Sequence, residues 1–183
     1  ACRQYQQWLS QGIVPASSKV SVNLSPRQFR QNNLEQIVRR TLADSKLPAQ
    51  NLMLEITESM LMSSVEQNAE LLSRLRDLGI GVAIDDFGTG YSSLAYLKNL
   101  PIDVLKIDRV FVKDIVDNAD DAAIAHSIIN LAHNLGLKVI AEGVEDVEVL
   151  EILRLLGCDQ YQGFHFARPV AATDIPSLVA HCR

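Results

Sequence analysis

The chain is short of several things, and each shortage excludes a class of protein. Its three cysteines, Cys2, Cys158 and Cys182, lie far apart in no ligand spacing. They suit neither a thiolate metal site nor a disulfide framework, so a reducing cytoplasm is the expected location. Basic residues are in deficit, 17 against 22 acids for a net charge of −5. That argues against nucleic acid as the main partner, because such binding needs phosphates neutralised by Lys and Arg; a small phosphorylated ligand held through cations is still admitted. No apolar run is long enough to cross a bilayer, and no signal peptide is visible. Low-complexity stretches and Gly/Ser linkers are missing too, and no G-x-G-x-x-G follows the first expected strand, which lowers the dinucleotide-fold alternative.

What is present reads as one globular domain. The 183 residues, 48% of them apolar, suffice for a single core. Residues Ala1 to Leu9 look like a helix already under way, with Gly12 as its stop and neither an initiator Met nor a capping residue before it. The chain is therefore expected to begin mid-element, as an excerpt of a longer protein. Strands are predicted at Lys19–Ser25, Leu52–Thr57, from Val82, at Val104–Asp108, Lys138–Val144 and Asp159–Phe166. Between them come a helix from Pro26 to about Ser45, one capped by Ser63 with Glu66 and ended by Gly79, and a short one at Tyr91–Leu97. Further helices are predicted at Asp120–Leu135 and Asp146–Leu156, with a last one capped by Thr173 and carrying Pro176 in its first turn. Six strand–helix units imply parallel strands with helical crossovers, in an open doubly wound sheet or in a (β/α) barrel.

The chemistry centres on Val82 to Leu94, V-A-I-D-D-F-G-T-G-Y-S-S-L, an apolar run that ends in Asp85 and Asp86 and a loop with Gly88 and Gly90. Alone, it would also fit an acidic strand-to-helix turn. Alternation splits each strand into two faces. One is apolar throughout: Val20, Val22, Leu24; Leu52, Leu54, Ile56; Val82, Ile84; Leu105, Ile107; Val139, Ala141. The other carries Asn23, Glu55, Asp85, Lys106 with Asp108, and Glu142 toward the strand C-termini, joined by Gln162. In a barrel these converge on one mouth, where the active sites of that architecture lie. Carboxylates and an amide oxygen suit Mg²⁺ or Mn²⁺. One bridging aspartate beside a second admits two ions about 3.5–4 Å apart, an arrangement for in-line phosphoryl displacement. Lys106 could hold water or phosphate charge. The alternative, a Schiff-base lysine, is disfavoured because surrounding acids keep an ammonium protonated.

Together the segments V-N-L-S at Val22, E-I-T-E at Glu55, D-D-F-G-T-G-Y-S-S-L at Asp85, L-K-I-D at Leu105, A-E-G-V-E at Ala141 and Q-G-F-H-F-A-R-P at Gln162 resemble the EAL-domain family over nearly the whole chain. That resemblance implies a bacterial phosphodiesterase that hydrolyses cyclic di-GMP to linear pGpG in a TIM-barrel-like fold. It implies two Mg²⁺ or Mn²⁺ ions, with Asn23, Glu55 and Asp85 on the first, Asp85 bridging, and Asp86 and Glu142 at the second. Lys106 resembles the lysine that orients the catalytic water, with Asp108 beside it, and Gln162 lines the site. Arg168, with His165, could reach substrate or lie on the surface. Glu58 resembles the acid that holds the loop after Asp86 and links it to a dimer interface, near Tyr91–Leu97.

The Glu-Ala-Leu triplet that names the family, and whose Glu is a metal ligand, is absent. Residues 1–183 are thus expected to be one EAL domain lacking its first strands, an incomplete (β/α)8 barrel with six of the eight units. The excerpt alone is expected to be impaired. The resemblance further implies a homodimer and an upstream sensory or GGDEF domain in the full protein. A catalytically inactive receptor or docking module is the competing reading, against which the intact Asp85, Asp86 and Glu142 speak. His126 and His133 are read as a solvated or partly buried helix face.

Overall fold

A computed structural model of the chain describes residues 1–31, 33–61, 65–90 and 97–181. Six strands form one sheet in sequence order: β1 (Val20–Asn23), β2 (Leu52–Thr57), β3 (Gly81–Phe87), β4 (Val104–Ile107), β5 (Lys138–Glu142) and β6 (Gln160–Gln162). Every neighbouring pair is parallel. With helices between the strands this makes a half-barrel, as the β-α alternation predicts. The described helices are α1 (Cys2–Ser10), α2 (Pro26–Phe29), α3 (Leu34–Ser45), α4 (Glu58–Leu61), α5 (Val65–Asp77), α6 (Ala119–Asn134), α7 (Val147–Leu155) and α8 (Ile175–His181). None of them is long and apolar enough to cross a membrane.

The outer face of the sheet is the main core. Val82, Leu105, Ile107, Val139 and Ala141 are fully buried, and Leu72 and Leu75 of α5, Ile129 of α6 and Leu153 of α7 pack in the same cluster. The apolar face expected on β1 is only half covered, since Val20, Val22 and Leu24 are partly exposed at the sheet's edge. The inner face has two storeys. Met53, Ala83 and Val104, with Ile140, form a small apolar layer near the strand N-termini. Beyond it, toward the C-termini, come the polar residues.

Three expectations need correction. The helix from Pro26 is two helices, because the chain breaks after Phe29 and restarts at Leu34. A capping box between Ser25 and Gln28 closes the first turn on itself, and Arg30 ends that helix as its C-cap. The last strand stops at Gln162 rather than running to Phe166. There the chain wraps round the end of β5: Val144 N–H donates to Gln162 O and His165 N–H to Val144 O, while Gly163 sits so close to the Val144 backbone that no side chain fits. The last helix starts from Asp174, whose carbonyl accepts Leu178 N–H, and the Thr173 hydroxyl bonds the Asp174 carboxylate instead of capping. The expected Ser63 cap and the helix over residues 91–96 lie outside the described residues.

Candidate metal centre

At the C-terminal ends of four strands the inner-face residues meet around Lys106. Its ammonium lies 2.9 Å from Glu55 Oε2, 2.9 Å from Asp85 Oδ1 and 2.6 Å from Glu142 Oε1. Lys106 is 2% exposed and Glu55 6%. Burial pulls an ammonium toward neutrality, but the hydrogen bonds it donates to three carboxylates outweigh it and hold Lys106 above the usual lysine range. A lysine held this firmly as a cation is no Schiff-base nucleophile, and its three donors are all engaged.

The acids outnumber the base. Burial pushes the Glu142 carboxyl up, opposed by Lys106 and assisted by Asp85 and Glu55. Asp86 is also raised, by burial first and then by the charges of Asp85 and Asp108, whose carboxyl faces it within hydrogen-bonding reach. Asp108 in turn accepts Val110 N–H at 2.7 Å and caps a short 3-10 turn, Arg109–Phe111. Asn23 stands beside this group. With its nitrogen turned inward it donates to Asp85 Oδ2 at 3.3 Å and Glu55 Oε2 at 3.2 Å; with its oxygen inward it completes an all-oxygen pocket.

Asp86 should point away from Asp85 by simple alternation. A bulge changes that. Ile84 pairs with Leu105 and Phe87 with Ile107, so two residues of β3 oppose the single Lys106. Asp86 takes a left-handed backbone, φ 54°, unusual for a residue with a side chain. Its N–H donates to Asp85 Oδ1 at 3.2 Å, and Thr89 Oγ1 donates to its carbonyl at 2.9 Å. The result is that oxygens of Asp85, Asp86 and Glu142 all lie within 4.8 Å of one another. Such a set of hard oxygen donors fits Mg²⁺ or Mn²⁺.

Glu58, only 3% exposed, accepts Gly88 N–H at 3.1 Å, and its second oxygen has no hydrogen-bond partner among the described residues. A Cβ at Gly90 would stand 2.7 Å from that oxygen. Gly90 therefore permits a close approach, while the turning is done by Asp86 and by Gly88 at φ 99°. Gln162 pairs in register with Glu142 at the rim. Arg168 stacks over the Phe164 ring at 4.9 Å and makes no ion pair among the described residues. His126 and His133 both lie on the exposed face of α6, where His133 Nε2 is 2.9 Å from Asp159 Oδ2.

The family model described as EAL domain matches residues 1–169. The chain belongs to the EAL domain family. This EAL domain is 44% identical over 180 residues to the bifunctional diguanylate cyclase/cyclic di-GMP phosphodiesterase MucR of Pseudomonas aeruginosa, covering 98% of this chain and 26% of MucR. The cyclic di-GMP phosphodiesterase NbdA of the same organism is 47% identical over 152 residues, 83% of this chain and 19% of NbdA. The chain thus spans about a quarter or less of these curated relatives. The solved c-di-GMP complex of the PaMucR phosphodiesterase superposes with a TM-score of 0.91 at 44% identity, covering 96% of this chain and 70% of that one. The manganese/cy-diGMP complex of Klebsiella pneumoniae BlrP1 gives 0.81 at 30% identity, over 93% of this chain and 44% of that one.

Proposed function

We propose that this EAL domain hydrolyses cyclic di-GMP to linear pGpG with two hard divalent cations, Mg²⁺ or Mn²⁺. The observation that carries the reading is the convergence of Glu55, Asp85 and Glu142 on one buried lysine at the strand C-termini, with Asp86 beside Asp85 and Glu142. A core built for stability alone would not collect uncompensated carboxylates in this way. Asn23, Glu55 and Asp85 would hold one cation, and Asp85, Asp86 and Glu142 the other. Bound there, the cations would supply charge to the scissile phosphate and lower the pKa of an attacking water.

The chain's own groups then have distinct tasks. With the carboxylates turned to cations, Lys106 regains a free N–H to hold the attacking water or a phosphate oxygen. The water oxygen bonds to phosphorus as the P–O3′ bond breaks, and O3′ leaves as a hydroxyl. Glu142 and Asp108 sit on the rim, where a carboxylate oxygen left free by the cations would take the water's proton and pass it to O3′. Gln162 and Arg168 would contact substrate beyond the metals, and Glu58 would support the loop that carries Asp86, through Gly88. The likeness to MucR and NbdA supports the substrate, and the BlrP1 complex supports manganese. A homodimer, a cytoplasmic location and an attached regulatory domain belong to the same reading.

The test is direct. The native protein, with its flanking sequence, is incubated with cyclic di-GMP and Mg²⁺ or Mn²⁺, and the products are resolved by chromatography and mass. Release of pGpG supports the reading; binding without turnover in either metal would instead favour a receptor.

A further inference from the structure

One rim residue outside the carboxylate ring has a placement that asks for a ligand. Arg109 follows Asp108 directly and sits in the 3-10 turn that the Asp108 carboxylate caps. Its Cβ lies against Gly143: a side chain there would begin 2.6 Å away, and Gly143 holds φ 74°. The glycine after Glu142 thus lets the β4 and β5 rims close together with Arg109 between them. Arg109 lines a depression of about 220 Å³ that Glu142, Glu145, Gln162 and Phe164 also line. It is the one cationic side chain there, and among the described residues it makes no ion pair or side-chain hydrogen bond.

The depression's chemistry is that of a base pocket rather than a phosphate pocket. With Glu142 given to the metal centre, the carboxylate of Glu145 is left on the lining, and it would repel a phosphate. Arginine offers two parallel N–H groups that match the O6 and N7 acceptors of guanine, while a carboxylate such as that of Glu145 can accept from the guanine N1–H and amino group. Phe164, 48% exposed even with Arg168 stacked on it, supplies apolar ring surface beside these polar groups. We propose that Arg109 is a specificity-determining residue that reads the O6–N7 edge of one guanine of the substrate. This rests on the cyclic di-GMP reading above and deepens it.

The experiment compares wild type, R109A and R109K in the native protein, by steady-state kinetics and equilibrium binding with cyclic di-GMP and cyclic di-AMP. R109A is expected to raise KM for cyclic di-GMP about tenfold or more, with kcat within about threefold. The preference over cyclic di-AMP shrinks by a similar factor, since adenine presents a donor where guanine has O6. R109K restores only part of it, because one ammonium cannot span both acceptors. Unchanged KM and preference in R109A, or equal losses on both dinucleotides, overturns the proposal. If R109A folds poorly by circular dichroism, R109K decides: a wild-type preference there overturns it as well. Wild type that binds cyclic di-GMP without hydrolysing it overturns the phosphodiesterase reading alone and leaves the affinity comparison to judge Arg109. Wild type that does neither overturns both.

Discussion

The two ends of the same six strands handle charge in opposite ways. At the N-terminal ends three polar side chains are each held by partners. Asp103, just before β4, accepts Val82 N–H of β3 at 2.9 Å and pairs with Arg76 of α5 at 2.9 Å. Asp159, just before β6, accepts Val139 N–H of β5 at 2.9 Å and meets His133 of α6 at 2.9 Å. Asn51, just before β2, donates to Ala16 O and Ser18 O, at 2.8 and 2.6 Å, ahead of β1. Each clasp ties the start of one strand to its neighbour or to the loop leading into it. At the C-terminal ends Glu55, Asp85 and Glu142 share one lysine, with Asp86 and Asp108 beside them. One rim is neutralised pair by pair. The other carries a surplus that an added cation can balance, and that surplus is what separates a working face from a structural one.

The largest break of this contrast comes from Lys106. Lys106→Met would leave three carboxylates with no ammonium in a site where the lysine is 2% exposed. Removing one partner of a buried ion pair costs about 3–5 kcal/mol. Thermal unfolding in chelator should show that loss, and Mn²⁺ should raise the Tm of the variant more than that of wild type, because it replaces the missing charge. Equal Mn²⁺ shifts would mean that the carboxylates do not gather a cation.

Asp85→Asn sharpens the contrast from the other side. It removes one of the surplus charges, so stability in chelator should stay level or rise, while hydrolysis falls by at least about a hundredfold, the lower range for loss of a group acting in the transition state. The Mn²⁺-dependent rise in Tm should shrink with it. A variant destabilised without loss of activity would make Asp85 a structural acid.

The strands' parallel sense and the shared face of Asn23, Glu55, Asp85, Lys106 and Glu142 were legible in the sequence, while the strand order followed from the barrel that the family resemblance implied. Period-two alternation reports which side chains share a face, and β-α alternation reports direction. What was not legible depends on contacts between distant residues. Alternation puts Asp86 on the wrong face; only the pairing of Phe87 with Ile107 reveals the bulge that turns it back. Gly90 looks like a turn residue until the Glu58 carboxylate is found against it. The break between Phe29 and Leu34 left a local signal in its run of Gln and Asn, but the spacing of Phe29, Leu34 and Val38 reads equally well as one stripe.

Asp103→Ala tests the neutral rim. It would leave Val82 N–H, on a fully buried residue, without its acceptor and free Arg76 from its ion pair. A loss of about 1–3 kcal/mol is expected from the unsatisfied donor. Denaturant unfolding should show it, with kcat per folded molecule unchanged. A fall in kcat at constant stability would mean that the two rims are not independent.

The smallest effect comes from the second clasp, which carries a histidine where the first carries an arginine. Burial alone would raise the Asp159 carboxyl, but the hydrogen bond from His133 and the Val139 N–H outweigh it and hold its pKa below the usual carboxylate value. A carboxyl depressed in the folded state contributes stability that is fully present above its unfolded pKa of about 3.9 and fades as pH falls through the folded value. Both side chains are about a third exposed, so solvent screens the pair and the gain is modest. Asp159→Asn should therefore lower stability slightly at neutral pH and flatten the loss on acidification below about pH 4, with activity at neutral pH unaffected. An acid limb as steep in the variant as in wild type would assign the acid sensitivity to carboxylates elsewhere.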